Sequence, residues 1–276
     1  MAFSVKTNSG AMAALQSLNA TNASLETTQN RINTGLAVSS TKDDSAKYTV
    51  AQTLRGDLGG LDAVTSSLNT AKSTVDVAIS GVEQISDLVN DMKSKAYEAA
   101  GVADTDTASL EALQKDYDGL KSQIDSIVSS SDFNGVNLLS TGGGSVSSLM
   151  TLDTGNKLDV ANIDLEADAT ISAMDGATDL ADTATAATTV DTLDTLGDTL
   201  NGYLSDLGAS SRQIEGQLDF TSSLSDVITT GIGNLVDADL AKESANLQAL
   251  QVQQQLGVQA LSIANQSPQT ILSLFQ

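Results

Sequence analysis

The chain has 276 residues, with no Cys, His or Trp, one Pro (Pro268) and 3% aromatic residues. Its core must be built from Leu, Ile, Val, Ala and Met. Disulfides, thiolate nucleophiles, Ser-His-Asp triads and His- or Cys-based zinc motifs are excluded.

The net charge of −22 is unevenly placed. Residues 1–56 carry five bases against three acids, and residues 237–276 carry Lys242 against Asp237, Asp239 and Glu243. The two ends cancel, so the whole net charge lies in residues 57–236. Neutral, amide-rich ends suit burial against partners. The acidic middle suits a solvated surface and argues against nucleic-acid or anionic-membrane binding. No cleavable secretory signal is evident after Met1, and no run approaches a membrane span, so no membrane insertion is expected.

Taken in chain order, the first expected helix has a seam at Ala11, Leu15, Leu18, Asn22, Leu25, Gln29 and Ile32, alternating four and three residues apart. Two polar members and a thin stripe make it marginal alone. The next helix, Leu61 to Gly101, carries the strongest pattern. Leu61, Leu68, Val75, Val82, Val89 and Ala96 form one seven-residue column, and Val64, Ala71, Ala78, Ile85, Met92 and Ala99 form the other. All twelve positions are apolar, and four are Ala, which permits close helix approach. A third helix shows Leu113, Tyr117, Leu120, Ile124 and Ile127 at four-three spacing.

Ser130 to Gly135 and Gly142-Gly143-Gly144 break the helical pattern. Residues 146–166 read as a β-hairpin, with strands at Leu149 to Leu152 and Leu158 to Ile163 around Asp153-Thr154-Gly155-Asn156. Ala167 to Thr192 reads as loop with short irregular elements. Helical spacing returns at Leu193, Leu196, Leu200, Tyr203, Leu207 and Ile214, with a break or hinge expected at Gly231 and Gly233. A last helix from Asp237 places Leu240, Leu247, Leu250, Leu261 and Ala264 near one face, with Val252, Leu256 and Ile263 widening it. Pro268 is expected to interrupt or bend it.

Three features could carry chemistry. The stretch Asp153 to Asp198 holds eleven acids and one base, but lacks the spacing of an EF-hand loop and reads as solvated surface. Asp43-Asp44 reads as a turn or helix start with Lys42 or Lys47 as charge partner, rather than as a catalytic pair. Gly142-Gly143-Gly144 is not followed by the Lys-Ser/Thr of a phosphate loop and reads as a flexible turn. No catalytic residue, cofactor or metal site is expected. Ser and Thr are abundant over 140–192, but no glycosylation site is singled out.

Arg31 to Leu36 reads RINTGL and Ser40 to Ala46 reads STKDDSA. Asp237 to Glu243 reads DADLAKE, and Ala264 to Leu274 reads ANQSPQTILSL. With these motifs the two ends resemble those of bacterial flagellins, and Phe133-Asn134-Gly135 stands at that family's FNG turn. The chain departs from the family at Ala37, Lys47 and Gln276, where Arg, Gly and Arg are common.

The resemblance implies a mostly α fold: an elongated antiparallel helical rod, with a coiled coil of N- and C-terminal segments and a small β-hairpin region in the middle. Residues 1–40 with 237–276 would form an inner coiled coil. Residues 41–236 would form an outer helical rod whose small β region spans about 133–192. The implied function is a structural subunit that self-assembles into the flagellar filament for swimming motility, not an enzyme. Leu15, Leu18, Leu25 and Ile32 would meet Leu247, Leu250 and Leu261 in the polymerising core seam. The implied partners are copies of the chain, the flagellar export apparatus, a flagellin chaperone, and cap and junction proteins. The location would be extracellular, reached without a cleaved signal peptide. A hook–filament junction protein and an unrelated rod-forming coiled coil are the alternatives.

Overall fold

A computed structural model describes residues 8–103, 105–167 and 180–273, with side chains up to 266. The fold is mostly helical. Helices α1 (Ser9–Thr34), α2 (Ser45–Ala100) and α3 (Thr107–Ser130) precede strands β1 (Val146–Leu149) and β2 (Lys157–Val160). Helices α4 (Thr183–Val236) and α5 (Leu240–Ser273) follow. The chain forms two compact units, one of residues 1–56 with 227–276 and the other of residues 57–226. These limits lie inward of the 1–40 and 237–276 read from the sequence.

The second unit holds the apolar core. All twelve heptad positions of α2 are buried, none more than 3% exposed. All but Leu61 share one core cluster with Leu110, Tyr117, Ile124 and Val128 of α3 and with Val190, Leu193, Leu196, Leu200, Leu207 and Ile214 of α4. Ion pairs Lys72–Glu215 and Lys93–Asp194 join α2 and α4 above this core.

Capping residues explain where several helices begin. Asp44 accepts the amide of Lys47 at 3.1 Å, so α2 starts at Ser45, well before Leu61. Gly56, Gly59 and Gly60 hide that first stretch from a pattern search, yet each costs only about 1 kcal/mol inside a helix. Asp106 caps α3 through Ser109. Asp182 accepts the Thr185 amide at 2.8 Å, while Thr185 Oγ1 accepts the Asp182 amide at 3.0 Å. This reciprocal cap starts α4 at Thr183, so residues 183–192 are helix rather than the expected loop. Buried Ala186 and Val190 extend the seam back to that cap. The remainder of the expected loop, residues 168–179, lies outside the described residues.

The hairpin is present but shifted. Val146 pairs with Val160 and Leu149 with Lys157, so both strands lie nearer the N-terminus than expected. Val146, Leu158 and Val160 face the core, and the turn closes through Asn156 N to Asp153 O at 3.0 Å. Leu152, expected in a strand, instead seats its side chain over Gly60, within 2.4 Å of where a Cβ would stand. Phe133 and Val136 pair across Asn134 (φ 54°) and Gly135 (φ 81°), a tight turn needing positive φ at both centres.

Neither the pair Gly231 and Gly233 nor Pro268 ends its helix. Helix α4 runs through Gly231 and Gly233 to Val236, because Ile232 and Val236 are buried on its inner side. Helix α5 continues past Pro268 to Ser273; a proline removes one hydrogen bond without forcing a stop.

Candidate assembly surface

In the first unit, α1 packs on α5 in antiparallel register. Asn8 Nδ2 donates to Ala264 O at 2.6 Å, Gln254 Nε2 to Asn22 Oδ1 at 2.8 Å, and Arg31 Nη1 to Glu243 Oε1 at 3.2 Å. The base is stapled by backbone. Ala37 and Val38 N–H both donate to Val236 O, Ala238 N–H donates to Gly35 O, and Leu36 bridges Asp237. Gly35, at φ 73°, ends α1 and aims the chain into this staple.

The less exposed positions of α1 are Ala11, Ala14, Leu18, Thr21, Leu25, Thr28 and Ile32, with Arg31 beside them. Those of α5 are Glu243, Leu247, Leu250, Gln254, Gly257, Leu261 and Ala264. Both sets alternate at heptad spacing and form the α1–α5 seam. Leu18, Leu25, Ile32, Leu247, Leu250 and Leu261 therefore lie half-buried on it. Leu15 does not: it is 47% exposed, and Ala14, Thr21 and Thr28 take the column expected for Leu15, Asn22 and Gln29. Small side chains let the backbones approach, as a Cβ on Gly257 would stand 3.2 Å from Leu18 Cδ1. Pattern reading favoured the more apolar column. It also passed over Gly257, Gln254 and Glu243, although their seven-residue spacing with Leu250, Leu261 and Ala264 was available.

This pairing buries little apolar surface. The one buried side chain of α1 is Thr28. Meanwhile α5 shows a second stripe on its back: Ala245, Ala249, Val252, Leu256 and Ile263 are all exposed and follow four-three spacing, with Gln259 at the position between the last two. Val252 is 55% exposed, Leu256 57% and Ile263 68%. Met12 and Leu15 add exposed apolar groups on α1. The surrounding Gln248, Gln251, Gln253, Gln255 and Gln259 are exposed and uncharged.

The features weighed for chemistry are structural. Asp43 Oδ2 accepts the amides and hydroxyls of Ser39 and Ser40 at 3.0–3.1 Å. Those bonds, the Ser39 hydroxyl's first, hold the carboxyl below its ordinary range. Asp44 caps α2 with Lys47 4.0 Å away. Gly142 and Gly144 adopt positive φ in a turn closed by Asn137 N to Gly143 O. Among the described residues no acidic cluster is arranged to hold a metal ion, and no helix is long and apolar enough to cross a membrane.

The terminal helical hairpin thus leaves an apolar stripe of α5 exposed, the kind of surface a self-associating structural subunit presents. The chain belongs to the bacterial flagellins: the flagellin N-terminal helical region matches residues 5–142 and the C-terminal helical region residues 190–275. It is 43% identical to flagellin FljM and 44% identical to flagellin FljK of Caulobacter vibrioides, in each case over 99% of this chain and 98% of the relative. A flagellin of Brucella melitensis is 39% identical over 99% of both chains. The crystal structure of Bacillus cereus flagellin superposes with a TM-score of 0.50 at 25% identity, covering 56% of this chain and 88% of that one. A putative flagellar hook-associated protein of Vibrio parahaemolyticus shares the fold at TM-score 0.60 and 14% identity, covering 71% of this chain and all of that one. The protein is a filament subunit of the bacterial flagellum, lies outside the cell in that filament, and is not an enzyme.

Proposed function

We propose that the α1–α5 hairpin is the surface through which copies of the chain join. Residues 1–40 and 237–276 then form the inner coiled coil of the filament, and residues 41–236 form the outer part. The observation that carries this is the second apolar stripe of α5, Ala245, Ala249, Val252, Leu256 and Ile263, left exposed by the α1–α5 pairing. Burial of that stripe by neighbours converts deferred folding energy into assembly energy. Leu18, Leu25, Ile32, Leu247, Leu250 and Leu261 hold the hairpin in shape for it, and Leu15 joins the outward surface. The acidic middle keeps the exterior solvated.

Before assembly the same ends suit passage through the flagellar export apparatus, without a cleaved signal and attended by a flagellin chaperone. Cap and junction proteins would bound the finished polymer. The alternative, a junction protein, has support only at the level of fold, whereas the flagellin likeness spans the whole chain.

Seeded elongation watched by electron microscopy tests the proposal. The parent protein should extend flagellar seeds. Leu256→Asp should not, because an unpaired charge would enter a buried contact. Filaments of normal length from that variant would remove the stripe from the interface.

A further inference from the structure

The α1–α5 pairing contains a difficulty that its own geometry resolves. Its columns repeat every seven residues: Ala11, Leu18, Leu25 and Ile32 face Leu250, Gly257 and Ala264 on one side and Leu247, Gln254 and Leu261 on the other. Sliding α5 by one heptad keeps apolar groups opposite apolar groups, so above the backbone staple of residues 35–38 with 236–238 little buried apolar surface opposes the slip. Register must come from something other than the hydrophobic pattern.

The pair Arg31–Glu243 is placed to supply it. Glu243 is 8% exposed and is the one buried charged residue among those described. Its carboxylate lies 3.2 Å from Arg31 Nη1, on the first rung above the backbone staple. Arg31 Nε is buried there without a hydrogen-bond partner. A partly buried pair with an orphaned N–H is a poor source of net stability, but removal of one partner strands the other. A one-heptad slip does just that, setting Arg31 against Leu250 and Glu243 opposite Val38, beyond the end of α1. Each charge also suits its own helix terminus, Arg31 in the last turn of α1 and Glu243 in the first turn of α5. That benefit does not depend on the two facing each other.

We infer that Arg31 and Glu243 are the side chains that set the register of the terminal hairpin, together with the backbone staple beneath them. They align α1 with α5 so that the outward stripe presents one fixed surface to the next subunit. The consequence for assembly rests on the proposed role of that stripe; the register itself does not.

The chain has no Cys, so engineered cysteines can read the register directly. A Cβ on Gly257 would lie 3.8 Å from Leu18 Cβ, the spacing of an unstrained disulfide. Full-length chains carrying Leu18→Cys with Gly257→Cys report the native register. Chains with Leu18→Cys and Ala264→Cys report a one-heptad slip. The native cross-link should dominate in the parent background. Adding Glu243→Gln should lower the ratio of native to slipped cross-link by about tenfold, the scale of one hydrogen bond to a charged group. Exchanging the charges, Arg31→Glu with Glu243→Arg, should restore most of the ratio. An unchanged ratio in Glu243→Gln, or a swap that recovers none of it, overturns the inference. Seeded elongation of the uncross-linked parent is scored separately. Its failure would overturn the filament-surface reading and leave the cross-linking ratio to judge the register.

Discussion

Two heptad systems occur in this chain, and they meet opposite fates. In the second unit the α2 seam is consumed within the subunit: all twelve positions are buried, and all but Leu61 join one core with α3, α4 and the β-hairpin. In the first unit the α1–α5 seam is built from Ala, Thr, Gly and half-buried Leu, while α5 keeps another apolar stripe facing outward. The difference separates folding from assembly. A saturated seam makes a stable body, and an unsaturated one makes a body that waits for neighbours.

Hydrogen exchange on the monomer should show the contrast most strongly. Amides of α1 and α5 should exchange about a hundredfold faster or more than those of residues 61–99, because local opening of the hairpin exposes little new apolar surface. Equal protection in both regions would break the comparison.

Substitutions sharpen it at the next scale. Ile85→Ala empties a fully buried site in the α2 seam and should cost about 2–5 kcal/mol in denaturant unfolding. Leu256→Ser on the outward stripe should move the same transition by no more than about 0.5 kcal/mol. Similar losses from both would mean that the stripe is already buried in the monomer.

The smallest expected effect is with pH. Asp43, Asp182 and Glu215 titrate below their ordinary values, held down respectively by Ser39, by the Thr185 amide, and by Lys72. Their contribution is complete above the unfolded carboxylate range near ~4 and is lost as pH falls through the folded values. Lys72 and Lys93 titrate above theirs, because Glu215 and Asp194 hold the protonated form. Their contribution is complete below about 10.4 and is lost as pH rises through the folded values. Melting curves should therefore change at both extremes through these groups and stay flat through them in between. A slope at neutral pH that Glu215→Gln removes would contradict the assignment.

The sequence by itself determined the helical class, the α2 seam, the neutral ends and the terminal motifs that mark a flagellin. Each of these is written in local spacing or composition, which needs no knowledge of what lies opposite. It also determined that no Cys- or His-based site exists. Only the tertiary structure decided which α1 column faces α5, because Ala14, Thr21 and Thr28 win through close backbone approach rather than through hydrophobicity. It likewise decided where α2 and α4 begin, since Asp44 and Asp182 act as caps only where the following turn closes on them. Gly231, Gly233 and Pro268 read as breaks in isolation, yet the helices run through them, through buried Ile232 and Val236 in α4. The meeting of Arg31 and Glu243, 212 residues apart in the chain, belongs to the antiparallel return of α5 along α1. Two charges so distant in sequence have no local signature by which their contact could be read.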